Sequence, residues 1–402
     1  VADASVERHQ QARRVWWEQI EAKIASEAAA PHDNRRDPDR RLVLGYVSSD
    51  FNAHSAAFIF KPVLQHHDRA QFEIVCYSCS SKVDGTTSEF QGLADRWRDA
   101  SQWTDDRLAA QIRADGVDIL IDLSGHTRGN RLGVFARKPA PIQAHGWGHG
   151  TGTGLPTIDY LFSDPVAIPL AVRHLFAETV VDLPCFVTLT PLPAGIARAE
   201  TPAISNGFIT FGVFNRISKI SDEAAAVWSR ILERVPRSRP LIKDVALDDQ
   251  LVRDKLLARF AACRLPAERV DLLGATSRHE HLASFNRIDI ALDPFPQNGG
   301  VSTWEALQMG VPVVAKLGNS LPSRAAGAIL TALGLPDWGA ESEDAYVEIA
   351  AGRAARVAEL DQLRRELPEQ ISAAAAGNPV SYARAVADAY RAMWTRYCNG
   401  GV

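Results

Sequence analysis

The sequence predicts an α/β protein with two parallel, helix-covered sheets in two lobes, preceded by one amphipathic helix. Short apolar runs alternate with helical stretches of roughly 10–15 residues, once from Arg41 and again from Phe208, and that alternation builds parallel sheets buried on both faces. Between the two runs, residues 186–206 (FVTLTPLPAGIARAETPAISN) hold three prolines and little periodicity, as a connection between lobes would. The length of 402 residues, with 46% hydrophobic and 23% charged, suits two domains and a small addition.

A net charge of −4 argues against a nucleic-acid surface or a basic membrane-binding face. No apolar run approaches the roughly 18 residues a membrane helix needs. The first residues, VADASVERHQ, lack the apolar core of a signal peptide, so the expected location is cytoplasmic. The five cysteines, Cys76, Cys79, Cys185, Cys263 and Cys398, are scattered, and the single C-x-x-C falls on a predicted strand with no second pair to complete a zinc site.

In chain order, residues 1–40 form an N-terminal helix and a linker. Val6, Trp16, Trp17, Ile20 and Ile24 share one helical face, which must dock on the body or continue an upstream helical array. The linker, PHDNRRDPDRR from residue 31, contains the chain's only Asp-x-Asp, Asp37-Pro38-Asp39; a polar linker is the wrong place for a metal-holding pair. Residues 41–190 form the first lobe. RLVLGYVSSDF, FEIVCYS, VDILIDLSG and APIQAHGWGHG read as strands, and SAAFIFKPVLQHH and DDRLAAQIRADG as helices.

Ligands of parallel sheets gather at the carboxyl ends of the strands. Those loops carry His54, His126 with Thr127, and His149 with Thr151. A loop histidine is more often solvated or capping than catalytic, but His54 follows the first strand and directly precedes a helix. The glycine-rich GWGHGTGTG offers many backbone donors at one sheet edge, a moderate anion-site signal.

Residues 206–378 form the second lobe, with FITFGVFN, RPLIKD, RVDLLG, IDIAL and VPVVAKLG as strands and Ser221 as the N-cap of the helix after the first of them. Residues 288–312, IDIALDPFPQNGGVSTWEALQMGVP, organise it: a strand, a glycine turn and a helix N-terminus closed by Gly310. Glycines let backbone approach a ligand, and the helix start presents unpaired N–H groups and the positive dipole end, a natural phosphate site. Glu305, one turn in, could accept hydrogen bonds from a ribose. Residues 379–402 form a long last helix, expected to cross between the lobes.

GYVSSDFNAH, FEIVCYS, DGVDILIDLSGHTRGNR, RKPAPIQA, TIDYLFSD, FGVFNRISKI, VWSRILERVP, LDPFPQNGG, STWEAL and MGVPVV occur in this order and resemble the catalytic region of protein O-GlcNAc transferases and their SPINDLY relatives, from about Arg41 to Cys398. The resemblance implies the GT-B architecture, two Rossmann-like lobes whose parallel sheets face across a cleft, with tetratricopeptide repeats upstream for which the first helix would be a remnant or end cap. The long insert that animal members carry between the lobes is absent, as in bacterial relatives.

The resemblance further implies transfer of GlcNAc from UDP-GlcNAc to Ser or Thr hydroxyls of proteins, with inversion and without a metal or other cofactor. The partners would be a nucleotide sugar and an acceptor protein or peptide, with no nucleic acid and no membrane. Lys219 matches the family's essential lysine, which offsets charge on the leaving diphosphate. His54 matches the histidine proposed as general base, a role a neutral imidazole suits. His281 matches the histidine packed on the base, whose edge the backbone of Ala275 and Thr276 reads. Glu305 stands for the ribose-binding aspartate. Asn215, Asn298, Gly299, Gly300 and Ser302 fall on the donor side, and His126, Thr127, His149 and Thr151 would border the cleft.

Departures from the family pattern bear on the donor. Arg216 replaces a glutamine near the diphosphate, Ser218 a tyrosine, Arg278 the lysine of the base-binding loop, and Val301 a threonine whose hydroxyl touches a phosphate. Gly148-His149-Gly150-Thr151 replaces Gly-Tyr-Pro-Gly. Two alternatives therefore stay open: another donor, such as GDP-fucose or a bacterial nucleotide sugar suited to Arg216, and a catalytically inactive nucleotide-binding module. Retention of His54 and Lys219 argues against the second.

Overall fold

The structure, a computed structural model, describes residues 4–24 and 31–401. It divides into two compact units, one of Ser5–Thr190 with Asn378–Val402, the other centred on Pro191–Gly377.

In the first unit, β1 (Leu42–Ser48), β2 (Phe72–Ser78), β3 (Arg96–Asp99), β4 (Ile119–Asp122), β5 (Ile142–His145), β6 (Tyr160–Ser163) and β7 (Thr179–Asp182) form one sheet in the order β3-β2-β1-β4-β5-β6-β7. Every pairing is parallel. Leu42, Leu44 and Tyr46 of β1 and Ile119, Leu120 and Ile121 of β4 are fully buried, as expected when helices cover both faces of apolar strands. The winding direction reverses between β1 and β4, the topological switch point where such sheets open a crevice at their carboxyl ends.

Two terminal helices complete this unit. Trp16 and Trp17 of Val6–Ile24 pack against the core that includes Leu132, Val134 and Phe135, so this helix docks on the body. Ile24, expected on the same face, lies outside the residues whose side chains are described. The last helix, Pro379–Cys398, packs in this unit. The reason is its apolar face: Tyr382, Val386, Tyr390 and Trp394 are buried, Tyr390 Oη lies 3.1 Å from Tyr46 Oη, and Tyr382 Oη donates to the Cys185 carbonyl at 2.9 Å.

In the second unit, β8 (Thr210–Val213), β9 (Arg239–Lys243), β10 (Asp271–Leu273), β11 (Ile290–Leu292), β12 (Val313–Lys316) and β13 (Gly339–Ala340) run parallel in the order β10-β9-β8-β11-β12-β13, the Rossmann winding. Its switch point lies between β8 and β11. The helix Asp222–Arg234 starts at Ser221, whose hydroxyl accepts from the Ala224 N–H at 3.0 Å, the cap the sequence predicts. Among the described residues, no helix is long and apolar enough to cross a membrane.

Candidate functional site

The second unit gathers its functional side chains at the carboxyl ends of β8 and β11. From β8 the chain runs through Phe214, Asn215 and Arg216 into a short 3-10 turn, Ile217–Lys219. From β11 it runs through Asp293 to the Asn298-Gly299-Gly300 turn and the helix Val301–Gln308. A Cβ on Gly299 would lie 2.6 Å from Asp293 Oδ1 and 2.6 Å from Ser302 Oγ, so only glycine fits this turn. Gly300 is the N-cap and brings no side-chain cap, which leaves the first-turn N–H groups and the positive dipole end to a ligand.

Lys219 reaches across from the β8 side and donates through Nζ to the Asn298 carbonyl at 2.7 Å. Burial pushes its ammonium pKa below the ordinary lysine value and Arg216 adds to that, while Asp293 opposes it. Ser302 Oγ donates to Asn215 Oδ1 at 2.9 Å, joining the helix start to the β8 loop. The Asn298 amide is buried and donates to the carbonyls of Pro294 (3.1 Å) and Lys316 (3.3 Å), so it shapes the turn from within. The Gly299 N–H is taken by both oxygens of Asp293, at 2.9 and 3.0 Å, and is therefore not a phosphate donor as expected. Arg216 is exposed and makes no ion pair among the described residues.

A second group lies one turn along the helix. Glu305, 3% exposed, accepts from Arg278 on one oxygen and from His281 Nε2, at 3.0 Å, on the other. A capping box between Ser277 and Glu280 fixes the start of the helix Arg278–Ser284 that carries both partners. The His281 ring packs edge-on against Phe285, with centroids 5.6 Å apart, and Phe214 and Phe285 extend the aromatic wall. Thr276 is exposed, whereas the Ala275 N–H already donates to Asp248 at 3.1 Å, which leaves Ala275 its carbonyl for a base edge.

The polar residues of the first unit mostly satisfy one another. At the end of β4, Asp122 accepts the N–H groups of Ser124 (3.1 Å) and Gly125 (2.8 Å). At the end of β5, His145 Nδ1 forms an ion pair with Asp122 at 2.9 Å, both groups being fully buried, while Nε2–H donates to the His149 carbonyl at 2.9 Å. Acceptors at both ring nitrogens call for an imidazolium. Burial opposes that charge, but Asp122 outweighs it and holds the His145 pKa above the ordinary imidazole value.

The expected cleft residues His126, Thr127 and Thr151 are engaged in this internal brace. His126 Nε2 donates to the Thr153 carbonyl at 2.8 Å, and its ring meets Trp16 edge-on at 4.8 Å. Thr127 Oγ1 donates to Ser124, and the Thr151 hydroxyl and carbonyl accept from Arg13 and Gln10 of the first helix. Burial pushes the His149 imidazole down to about 4, keeping it neutral. His54 is exposed. Its Nδ1 accepts the Ala56 N–H at 3.2 Å, with Asp50 Oδ1 at 3.7 Å, so the neutral ring carries its hydrogen on Nε2. In this arrangement His54 is a donor, and accepting a proton requires it to release Nδ1. Sequence reasoning missed Asp122, His145 and Asp293; the available signal was an acidic or imidazole side chain at, or directly after, the last position of a buried strand. Among the described residues, no cluster of three His, Cys, Asp or Glu could hold a metal ion.

Residues 9–188 and 196–385 match the sequence pattern of glycosyl transferase family 41. The chain belongs to this family. A relative from Arabidopsis thaliana, described as a probable UDP-N-acetylglucosamine–peptide N-acetylglucosaminyltransferase and named SPINDLY, is 37% identical over 376 residues, covering 92% of this chain and 41% of that protein. Its counterpart in Oryza sativa is 39% identical over 374 residues, covering 92% and 40%. The chain thus spans about two-fifths of the length of these relatives. A mutant O-GlcNAc transferase from Thermobaculum terrenum superposes with a TM-score of 0.89 at 33% identity, over 97% of this chain and 75% of that one. A sucrose-phosphate synthase from Thermosynechococcus elongatus, at TM-score 0.60 and 12% identity over 88% and 99%, shares the fold alone. The architecture is GT-B, with two Rossmann-like lobes.

Proposed function

We propose that this chain is a metal-independent, inverting glycosyltransferase that moves GlcNAc from UDP-GlcNAc to Ser or Thr hydroxyls of proteins. The carrying observation is the meeting of Lys219 and the uncapped start of Val301–Gln308 at the β8/β11 switch point, two sources of positive potential with Glu305 one turn away. A leaving diphosphate gains charge in the transition state, and a fixed ammonium with oriented N–H groups stabilises it without a cation. Glu305 is suited to a ribose, and the His281–Phe214–Phe285 wall to a base. His54 is the candidate for handling the acceptor proton once Nδ1 is released. The SPINDLY relatives, described as probable UDP-N-acetylglucosamine–peptide N-acetylglucosaminyltransferases, support this donor and this acceptor class, and the Thermobaculum O-GlcNAc transferase supports the sugar.

A second reading, a different donor such as GDP-fucose or an acidic bacterial sugar nucleotide, is favoured by exposed Arg216 and by Val301, which brings no hydroxyl to the helix start. A panel of UDP-, GDP- and CMP-sugars, scored for nucleotide release and protein labelling with and without EDTA, tests both. The expected result is transfer from UDP-GlcNAc, unaffected by EDTA. Transfer restricted to a GDP- or CMP-sugar selects the second reading, and activity lost on chelation and restored by manganese contradicts the metal-independent mechanism.

A further inference from the structure

We propose that Asp293 is a positioning residue for the donor diphosphate, locking the Asn298–Gly299 peptide so that Lys219 and the start of the helix Val301–Gln308 keep a fixed relation. This inference rests on the proposed reading of the site. The lock is visible in one peptide unit: its carbonyl accepts from Lys219 Nζ at 2.7 Å and its N–H donates to Asp293 at 2.9 and 3.0 Å. An ammonium and a carboxylate therefore hold opposite ends of the same dipole. An ammonium has three donors, so this contact leaves two for a phosphate.

Asp293 is itself anchored. Its backbone N–H donates to Val314 at 2.9 Å, its carbonyl accepts from Tyr346 Oη at 3.0 Å, and Thr303 Oγ1 lies 3.4 Å from Oδ1. Asp293 is 2% exposed, and burial pushes its carboxyl up to about 7, against which the Gly299 N–H, the Lys219 ammonium and the Thr303 hydroxyl favour the charged form. Next to a glycine, a peptide unit rotates with little steric resistance. Rotation here would withdraw the carbonyl from Lys219 and re-aim Gly300, the residue on which the helix starts. Charge at both ends of the dipole opposes that rotation. The charged and titratable groups acting on the pair are Lys219 and Tyr346 around Asp293, and Asp293 and Arg216 around Lys219.

Asp293→Asn keeps an oxygen for the Gly299 N–H and removes the charge. With melting near wild type, kcat should fall about ten- to hundredfold while the donor KM changes less than about threefold. The Lys219 titration, followed by competitive acylation and mass spectrometry, should move to lower pH because a neighbouring negative charge is gone. An unchanged kcat with an unchanged Lys219 titration overturns the proposal. Should the variant fail to fold, the wild-type Gly299 amide decides: the lock predicts strong protection from hydrogen exchange, and exchange at the rate of an open loop overturns it. Neither the acylation nor the exchange measurement needs turnover. A wild-type chain that transfers no sugar but shows both signatures defeats the donor reading, and with it the diphosphate role of Asp293, while leaving the peptide lock standing.

Discussion

The strand ends of the two units occupy equivalent places in similarly wound sheets and have opposite polar economies. In the first unit, Asp122, His145, His126 and Thr151 are closed on one another, on backbone and on the first helix. In the second, Lys219 keeps donors in reserve, the helix Val301–Gln308 starts without a side-chain cap, and Arg216 stands exposed. Polar side chains at a sheet's carboxyl edge thus indicate a ligand site only where their hydrogen-bonding capacity is left over. Where neighbours satisfy it, the same residue types form a brace.

The sharpest way to break this contrast is at His145. His145→Phe leaves Asp122 buried without its countercharge, which should cost about 3–5 kcal/mol of stability in a denaturant melt. The pH dependence has a defined sign. The folded pKa of His145 is raised, so its contribution is fully present below the unfolded imidazole value of about 6.5 and is lost as pH rises through the folded value. Followed by NMR, the His145 ring should accordingly stay protonated in the folded protein above the ordinary imidazole value, and a ring that loses its proton below that value would contradict a buried imidazolium.

In the second unit the same logic predicts an effect on binding. Arg278 and His281 are only partly buried and can return to water when Glu305 is removed. Glu305→Ala should therefore weaken donor affinity by about ten- to hundredfold, the scale of a lost charge-assisted hydrogen bond, with a small change in melting. A calorimetric titration beside a thermal melt checks both; intact affinity with a large loss of stability would make Glu305 a brace like His145.

The smallest expected effect concerns the departures from the family pattern. If Arg216 contacts the diphosphate in place of a hydroxyl at position 301, Arg216→Gln should weaken UDP and UDP-sugar alike by about tenfold, and Val301→Thr should partly restore both. If Arg216 instead contacts the sugar, UDP alone should bind Arg216→Gln normally and the ranking of donors should change. Unchanged affinity for every ligand would remove Arg216 from the site.

Much of this was legible in the residues. Apolar periodicity identified β1, β2, β4, β5 and β8 to β12, because each is an apolar run. It missed β3, whose Arg96 and Arg98 both bind Asp115, since an edge strand can carry charge on its own account. It also missed β6, β7 and β13, the last only two residues long. Lys219, Arg278, His281 and Glu305 were named from their motifs, and the structure brings the last three together. Asp122–His145 was not readable because the pair exists only through the lateral β4–β5 pairing. Asp293 looked like a strand end, and its partners, the Gly299 N–H and Thr303, become apparent only once the turn is folded.

The central claim is that the donor diphosphate binds at the β8/β11 edge of the second unit and that His126 and His145 of the first unit are structural. Calorimetric titration of UDP into wild type, Lys219→Ala and His126→Ala tests it most directly. The account predicts that Lys219→Ala loses about tenfold or more in UDP affinity, the scale of a charge-assisted bond, while His126→Ala stays within about twofold. UDP affinity that survives in Lys219→Ala and collapses in a well-folded His126→Ala would contradict it.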